Sequence, residues 1–396
     1  MRKHLPAILM LSILSTSAYA TKARLQGLGE DVEDGTFYIH DDRAVFMNAA
    51  QVNNYSNKML LEWGNQATAT AGASSADTIQ TTEAQGGMFF KTGNLNYGIY
   101  LGNESNTANL LRISADSGAT PNFNKNDNVV DLFVGGGSDL MWGASFNYAK
   151  YEDMQGTNQI TDDAMGIRLG VMKDLWEAYA NVSLKGEAED KVAQDKFDGK
   201  GAYHLGGSYG LNEESKIFAS YKTSKWDIKQ STTTYGASYS RIDAGYGLTK
   251  EMGIGTLYTS LRFNTINVEV KHPSGTATFK RKIIPIQIGY EFKANSWLTL
   301  RTGISQNLYG EVDQKNLANI NATARTLVTS GYGNAGKTAD GKSSFIDSSN
   351  VNAGATFDFG TISLDGVLGY NTALSAENGK FNLTDMMARV GMTYNF

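Results

Sequence analysis

Along most of the chain apolar and polar residues alternate one by one. The last ten residues show the pattern plainly. Ala388, Val390, Met392, Tyr394 and Phe396 fall on one side, and Met387, Arg389, Gly391, Thr393 and Asn395 on the other. A period of two marks a strand with one oily and one wet face. In 141–151, Trp142, Ala144, Phe146 and Tyr148 oppose Gly143, Ser145 and Asn147. In 175–186, Trp176, Ala178, Ala180, Val182 and Leu184 oppose Glu177, Tyr179, Asn181, Ser183 and Lys185. The alternation predicts about sixteen strands: 57–64, 85–92, 95–102, 129–135, 141–151, 164–172, 175–186, 200–210, 215–226, 232–248, 254–270, 278–291, 297–307, 350–359, 362–371 and 386–396. Two places resist. Pro285 cannot donate to a ladder, which predicts a bulge or an unpaired position beside it. In 232–248 the apolar side changes near Ser240, from either a bulge or an upper half that stands above a membrane. These two places leave room for about fourteen to eighteen strands.

The connections alternate in length. Gly93-Asn94, 136–140, 173–174, 211–214, 249–253, 292–296 and Gly360-Thr361 are short. Between them lie 65–84, 103–128, 152–163, 187–199, 308–349 and 372–385, with 227–231 and 271–277 as brief exceptions. Tight turns on one rim, long loops on the other and an even strand count describe an all-β, antiparallel, up-and-down transmembrane barrel. Lipid permits no other sheet, because an open edge would leave backbone groups unsatisfied. The short turns are expected on the periplasmic side and the long loops outside. Trp63, Tyr100, Trp142, Tyr148, Trp176, Tyr221, Trp226, Tyr246, Tyr290, Trp297, Tyr370 and Phe396 lie near strand ends, as aromatic girdles would. Aromatics also favour strands in general, which accounts for part of that pattern.

The N-terminus reads as a secretory signal peptide over residues 1–20. Arg2 and Lys3 precede the apolar run Leu5 to Leu14, and Ala18-Tyr19-Ala20 is a small-x-small cleavage site. The run is too short for a membrane helix. No Cys is present, so neither a lipid-anchored N-terminus nor a disulfide framework is expected. The formal net charge is −5 and no basic stripe occurs, which argues against nucleic acid. Residues 21–56 precede the barrel, taken as 57–396, and read as a periplasmic or lumen-plug segment. Phe37, Tyr38, Val45, Phe46 and Met47 are its candidate plug residues.

Catalytic and metal constellations are thin. The three His of the exported chain, His40, His204 and His272, have no partner implied by spacing. The carboxylates at 31, 33, 34, 41 and 42 do not fit a calcium loop. No enzyme, cofactor or metal is expected. The wet parity of each strand instead gives candidate pore-lining charges: Arg168, Glu177, Lys185, Lys216, Lys222, Arg262, Arg301, Asp358, Asp365 and Arg389. A sixteen-strand bore has room for water. Arg262, Arg301 and Arg389 would then favour anions. Alternatively they pair with Asp358, Asp365 or the acidic stretch 30–42 and brace the wall.

Several short motifs carry a resemblance. The closing Tyr394-Asn395-Phe396 resembles the C-terminal signal read by the outer-membrane barrel-assembly machinery, which assigns that role to Tyr394 and Phe396. Asp41-Asp42-Arg43-Ala44-Val45-Phe46-Met47-Asn48-Ala49-Ala50 is similar to the Asn-Pro-Ala plug segment of long-chain fatty-acid transporters, with Ala49 in place of the Pro. Together with Ala23-Arg24-Leu25-Gln26-Gly27-Leu28-Gly29 and Trp63-Gly64, the chain resembles the porin-like major outer-membrane barrel of predatory Bdellovibrio-type bacteria, the PopA-like group. That resemblance implies a Gram-negative outer-membrane location, surrounding lipid and a homo-oligomer. The oligomer would be a ring enclosing lipid, or a trimer by analogy with porins. The expected function is a passive pore for small hydrophilic solutes with mild anion preference. The alternatives are a plugged barrel for hydrophobic substrates and a structural assembly that encloses lipid. The loop 308–349 could constrict the bore, cover a neighbour or do neither.

Overall fold

The computed structural model describes residues 21–30, 35–65, 84–103, 129–154, 159–230, 232–273, 275–317, 340–344, 349–371 and 386–396. The expected signal peptide and most of the loop 308–349 lie outside these. Two short helices, α1 (Lys22–Gly27) and α2 (Ala44–Met47), and a 3-10 turn (Ala49–Asn54) come first. Strands follow: β1 (Lys58–Asn65), β2 (Gln85–Thr92), β3 (Leu95–Leu101), β4 (Val129–Gly136), β5 (Met141–Asp153), β6 (Ile160–Lys173), β7 (Trp176–Asp190), β8 (Asp195–Gly210), β9 (Ser215–Gln230), β10 (Thr233–Met252), β11 (Gly255–His272), β12 (Gly275–Lys293), β13 (Leu298–Lys315), β14 (Gly341–Ser344), β15 (Ser349–Asp358), β16 (Ile362–Asn371) and β17 (Met386–Asn395). Neighbours pair antiparallel in chain order, and β17 returns to β1 from Lys58↔Asn395 to Asn65↔Ala388. Both β14 and β15 pair with β13, one above the other, so they are two pieces of one strand. The molecule is a closed, sixteen-strand, antiparallel transmembrane barrel.

The loops on the long side are shorter than the alternation implied. β6 begins at Ile160, β7 runs to Asp190, β8 begins at Asp195 and β13 runs to Lys315. Strands β7 to β13 have 15 to 20 residues, where spanning a bilayer needs about 9–11. The surplus is hidden in sequence because the two faces exchange chemistry partway up. On β10, Ile242, Ala244, Tyr246 and Leu248 face outward below, and Thr234, Gly236, Ser238 and Ser240 face outward above. The inner face does the reverse, with Arg241, Asp243 and Thr249 below and buried Tyr235, Ala237 and Tyr239 above. β10 pairs with both neighbours without a register shift, so no bulge causes the change near Ser240. The outer medium causes it: lipid below and water above. β9 and β11 agree, with Trp226, Ile228, Ile266, Val268 and Val270 inside and Lys225, Lys229, Glu269 and Lys271 outside.

Above the lipid, therefore, the barrel is an ordinary water-soluble sheet wrapped around an apolar core. Ala188, Phe197, Ala277, Phe279, Val312 and Leu317 complete that core. Bulges gather at the level of the exchange. Leu184 in β7 is skipped between Met165 and Gly166, two residues of β8 oppose Lys225, and Leu308 in β13 is skipped beside Pro285. The last of these answers the missing N–H of Pro285.

Outward aromatics form two levels. Trp142, Trp176, Trp297, Tyr394 and Phe396 lie by the short-turn rim, and Tyr148, Tyr203, Tyr221 and Phe263 lie higher. Tyr100 and Trp226 are not girdle residues, being 1% and 2% exposed on the inner face. Replacing Phe279 by Ala removes a large side chain from the upper core and should destabilise it by about 3–5 kcal/mol. Limited proteolysis between β11 and β12 should rise, while heat-modifiable gel migration, which reports the membrane band, should not change. The outward change Lys282→Leu should alter neither.

Candidate functional site

Residues 21–30 and 35–57 connect to strands on all sides of the barrel, which places them in the lumen. Arg24 Nε reaches Glu291 on β12 at 2.8 Å and its Nη2 reaches Tyr258 on β11 at 3.0 Å. Thr249 on β10 donates to the Tyr38 carbonyl at 2.6 Å. Asn181 on β7 donates to the Met47 carbonyl at 3.0 Å, and Arg43 donates to Tyr100 on β3 at 3.3 Å. Lys22 N–H donates to Glu62 on β1 at 2.5 Å, and Thr21 donates to Asp365 on β16 at 3.2 Å. The segment turns at Gly29 and Gly35, both at positive φ. It approaches the wall at backbone distance where the wall has no side chain. A Cβ on Gly143 would overlap Ala49, and one on Gly303 would overlap Leu28.

The candidate plug residues pack as two clusters. Phe46 is edge-on to Tyr100 at 4.9 Å and to Phe133 at 5.8 Å, and Val45, Val52, Tyr55 and Phe89 surround it. Met47 and Phe37 border a pocket, and Phe37 stacks on Phe218 at 5.0 Å. Tyr38 donates to Gln287 at 2.6 Å and also meets Glu30. The charged residues around this stretch include Arg168, Glu177, Arg262, Arg301 and Asp365, which the wet parity of the strands singles out, and Glu62, Asp131 and Glu291, which it did not.

Those charges are dry and paired. Arg301 is 3% exposed and lies 3.1 Å from both Asp365 and Glu291. Arg168, 2% exposed, binds Asp131 and Ser145. Arg262 meets Glu30 at 3.1 Å, Lys58 meets Asp42 at 2.9 Å, and Arg43 meets Glu62 at 3.4 Å. Burying an unpaired charge is prohibitive, so each pair pins the segment or braces the wall. Glu177 accepts from Asn48, Gln51 and Ser208. Lys216 and Lys222 are on the inner face of β9, and Lys222 borders the pocket. Arg389 is half-buried on the inner face of β17. Asp358 stands at the short-turn rim and accepts from Gly360 N–H at 2.8 Å. Lys185 is a correction: the bulge at Leu184 reverses parity, so it lies on the outer face and pairs with outward Asp163 at 2.7 Å. Glu62, Asp131 and Glu291 were missed as lumen residues. Their own parity pointed inward, but beside Glu62 and Asp131 apolar Phe89 and Phe133 share that wall and blur the contrast, and Glu291 stands near the end of its strand.

Asp41 is 1% exposed and its Oδ1 accepts from Arg43 N–H at 2.6 Å. Burial pushes its carboxyl up to about 8. Burial also raises Asp42, despite Lys58. Between the segment and the wall of β7 to β11 lies the pocket. Phe37, Tyr179 and Phe218 give it an aromatic side, and Lys222, Arg241 and Arg262 a basic one, with Asp243 beside Arg241 at 2.5 Å. His204 also lines it, 2.9 Å from the Tyr179 hydroxyl. Among the described residues no group of three or more His, Cys, Asp or Glu could hold a metal.

No family model matches the chain, and no curated protein matches it. Solved barrels do. The CymD monoaromatic hydrocarbon channel is 10% identical, with 96% of this chain and 98% of that one covered and a TM-score of 0.40. A porin refined at 1.8 Å is 9% identical, with 86% and 99% covered and a TM-score of 0.39. The P. putida toluene transporter TodX is 13% identical, with 96% and 99% covered and a TM-score of 0.38.

Removing one member of a buried pair strands the other, at about 3–5 kcal/mol. Arg301→Met should therefore loosen the luminal segment, read as new trypsin cleavage at Arg24 and Arg43 in the folded barrel. The raised Asp41 pKa also sets a pH dependence. Seated, the group holds its proton up to about pH 8; released, it ionises near the ordinary 3.8. Seating is then strongest below the released value, weakens steadily as pH rises from there, and levels off above the seated value. Protease protection of the segment should fall between about pH 4 and 8 and level off above that, and Asp41→Asn should flatten that decline.

Proposed function

We propose that this chain is a gated outer-membrane transport barrel, closed at rest, whose cargo is an apolar or amphipathic small molecule. One observation carries the reading: a segment pinned to β1 and to β11 and β12 by buried ion pairs, with an aromatic and basic pocket left beside it. A standing pore for hydrophilic solutes would instead keep its lumen charges in water, yet Arg301, Arg168 and Asp365 are almost wholly buried. The pocket suits a molecule with an apolar body and an acidic end, since ring faces and cations meet there. The leader-like N-terminus and the terminal strand support an outer-membrane address. An oligomer, whether a trimer or a ring around lipid, would use outward faces such as Ala353, Ala355 and Gly366. Ala355 and Gly366 are register partners on β15 and β16.

Planar-bilayer conductance tests the closed state. The full protein should be silent or open only briefly, and a variant lacking 22–55 should conduct steadily. A constant, anion-selective current from the full protein would overturn the proposal in favour of a passive pore. For the cargo, cis-parinaric acid should bind the folded protein. Phe37→Ala and Lys222→Gln should each weaken it about tenfold, roughly 1.4 kcal/mol.

A further inference from the structure

Thr21 is 1% exposed and sits where three strands present one row of residues. Glu62 on β1, Gly391 on β17 and Asp365 on β16 are register partners. Adjacent strands lie about 4.8 Å apart, so two carboxylates flank a floor that has no side chain. Thr21 fills that floor; a Cβ on Gly391 would overlap it. Its hydroxyl donates to Asp365 Oδ2 at 3.2 Å, and the next N–H, of Lys22, donates to Glu62 Oε1 at 2.5 Å. A third carboxylate, Asp42, lines the small void that Thr21 and Glu62 share. Its Oδ1 takes the Lys58 ammonium at 2.9 Å. Its Oδ2 is buried and has no hydrogen-bond partner among the described residues. Glu62 and Asp365 have Arg43 and Arg301, so the acceptor in want of a donor belongs to Asp42.

A buried carboxylate oxygen without a donor is costly. An ammonium offers three donors and a charge. The residues just before Thr21 are the small-x-small run Ala18-Tyr19-Ala20. We infer that the chain is processed at the Ala20–Thr21 bond, and that the α-ammonium so formed is the missing donor, locking the luminal segment into the niche of Asp42, Glu62 and Asp365. The reaction is hydrolysis by a leader peptidase. Water adds across the amide, Ala20 leaves as a carboxylate and Thr21 keeps a protonated amine. Before cleavage the same nitrogen has one N–H and no charge, and whatever is attached to it needs a way out of a site where Thr21 is almost fully enclosed. Closure of the barrel therefore follows processing.

The test needs no cargo, so its failure is distinct from that of the transport reading. Intact-mass analysis should give a chain that starts at Thr21. In the folded protein an amine-reactive acylating probe should label that α-amine at least tenfold more slowly than after unfolding. A variant with Gly-Ser inserted between Ala20 and Thr21 should fold, by heat-modifiable migration. It should expose Arg24 and Arg43 to trypsin and conduct in bilayers. A mature chain that starts elsewhere, an α-amine that labels equally fast in both states, or an inserted variant that stays silent and protected would each overturn the inference.

Discussion

The structure depends on what a guanidinium or ammonium does when water is taken away. Filling the lumen with residues 21–30 and 35–57 removes solvent from Arg301, Arg168, Lys58 and Arg43. Each is tolerable only where a carboxylate is within reach, and the barrel supplies one each time. Asp365 and Glu291 flank Arg301, Asp131 meets Arg168, Asp42 meets Lys58 and Glu62 meets Arg43. Such pairs add little net stability over a well-packed apolar core. They penalise every other arrangement, because a shift of the segment by one strand would strand several charges at once. The pairing thus specifies position more than it stabilises.

The same balance of solvents orders the barrel along its axis. Lipid outside demands an apolar outer face and leaves polar groups to the lumen. Water outside permits the opposite, and the long strands β7 to β13 make the change without breaking their ladders. Bulges in β7, β8 and β13 relieve the geometry at that height. A single continuous sheet thereby meets two environments, with one interior built from charge pairs and another from Phe279, Val268 and Ile228.

Much of this was legible in the alternation of residues. The strands and closure were, because a half-buried strand must repeat every second residue. The upper extensions were not, since exchanging the faces looks locally like the end of a strand; only the parity change near Ser240 betrayed it. Lys185 was misplaced because one extra residue, Leu184, inverts everything beyond it. The luminal segment was the least readable part. It has no period, and its partners lie in the barrel wall, so neither Glu291 nor Glu62 announces what it holds. That Phe37, Tyr38 and Val45 to Met47 are apolar in an acidic lead-in was the one local sign.

Thr21 and its partner Asp365 are 344 positions apart. A contact that distant cannot form early, for the loop it closes is nearly the whole chain. The first residues to emerge are thus among the last to settle. While the wall is being built, the future interior stands wet and the charges that will pair inside it are solvated. Only after β17 meets β1 is there an enclosure to enter, and drying the lumen becomes the final act of assembly.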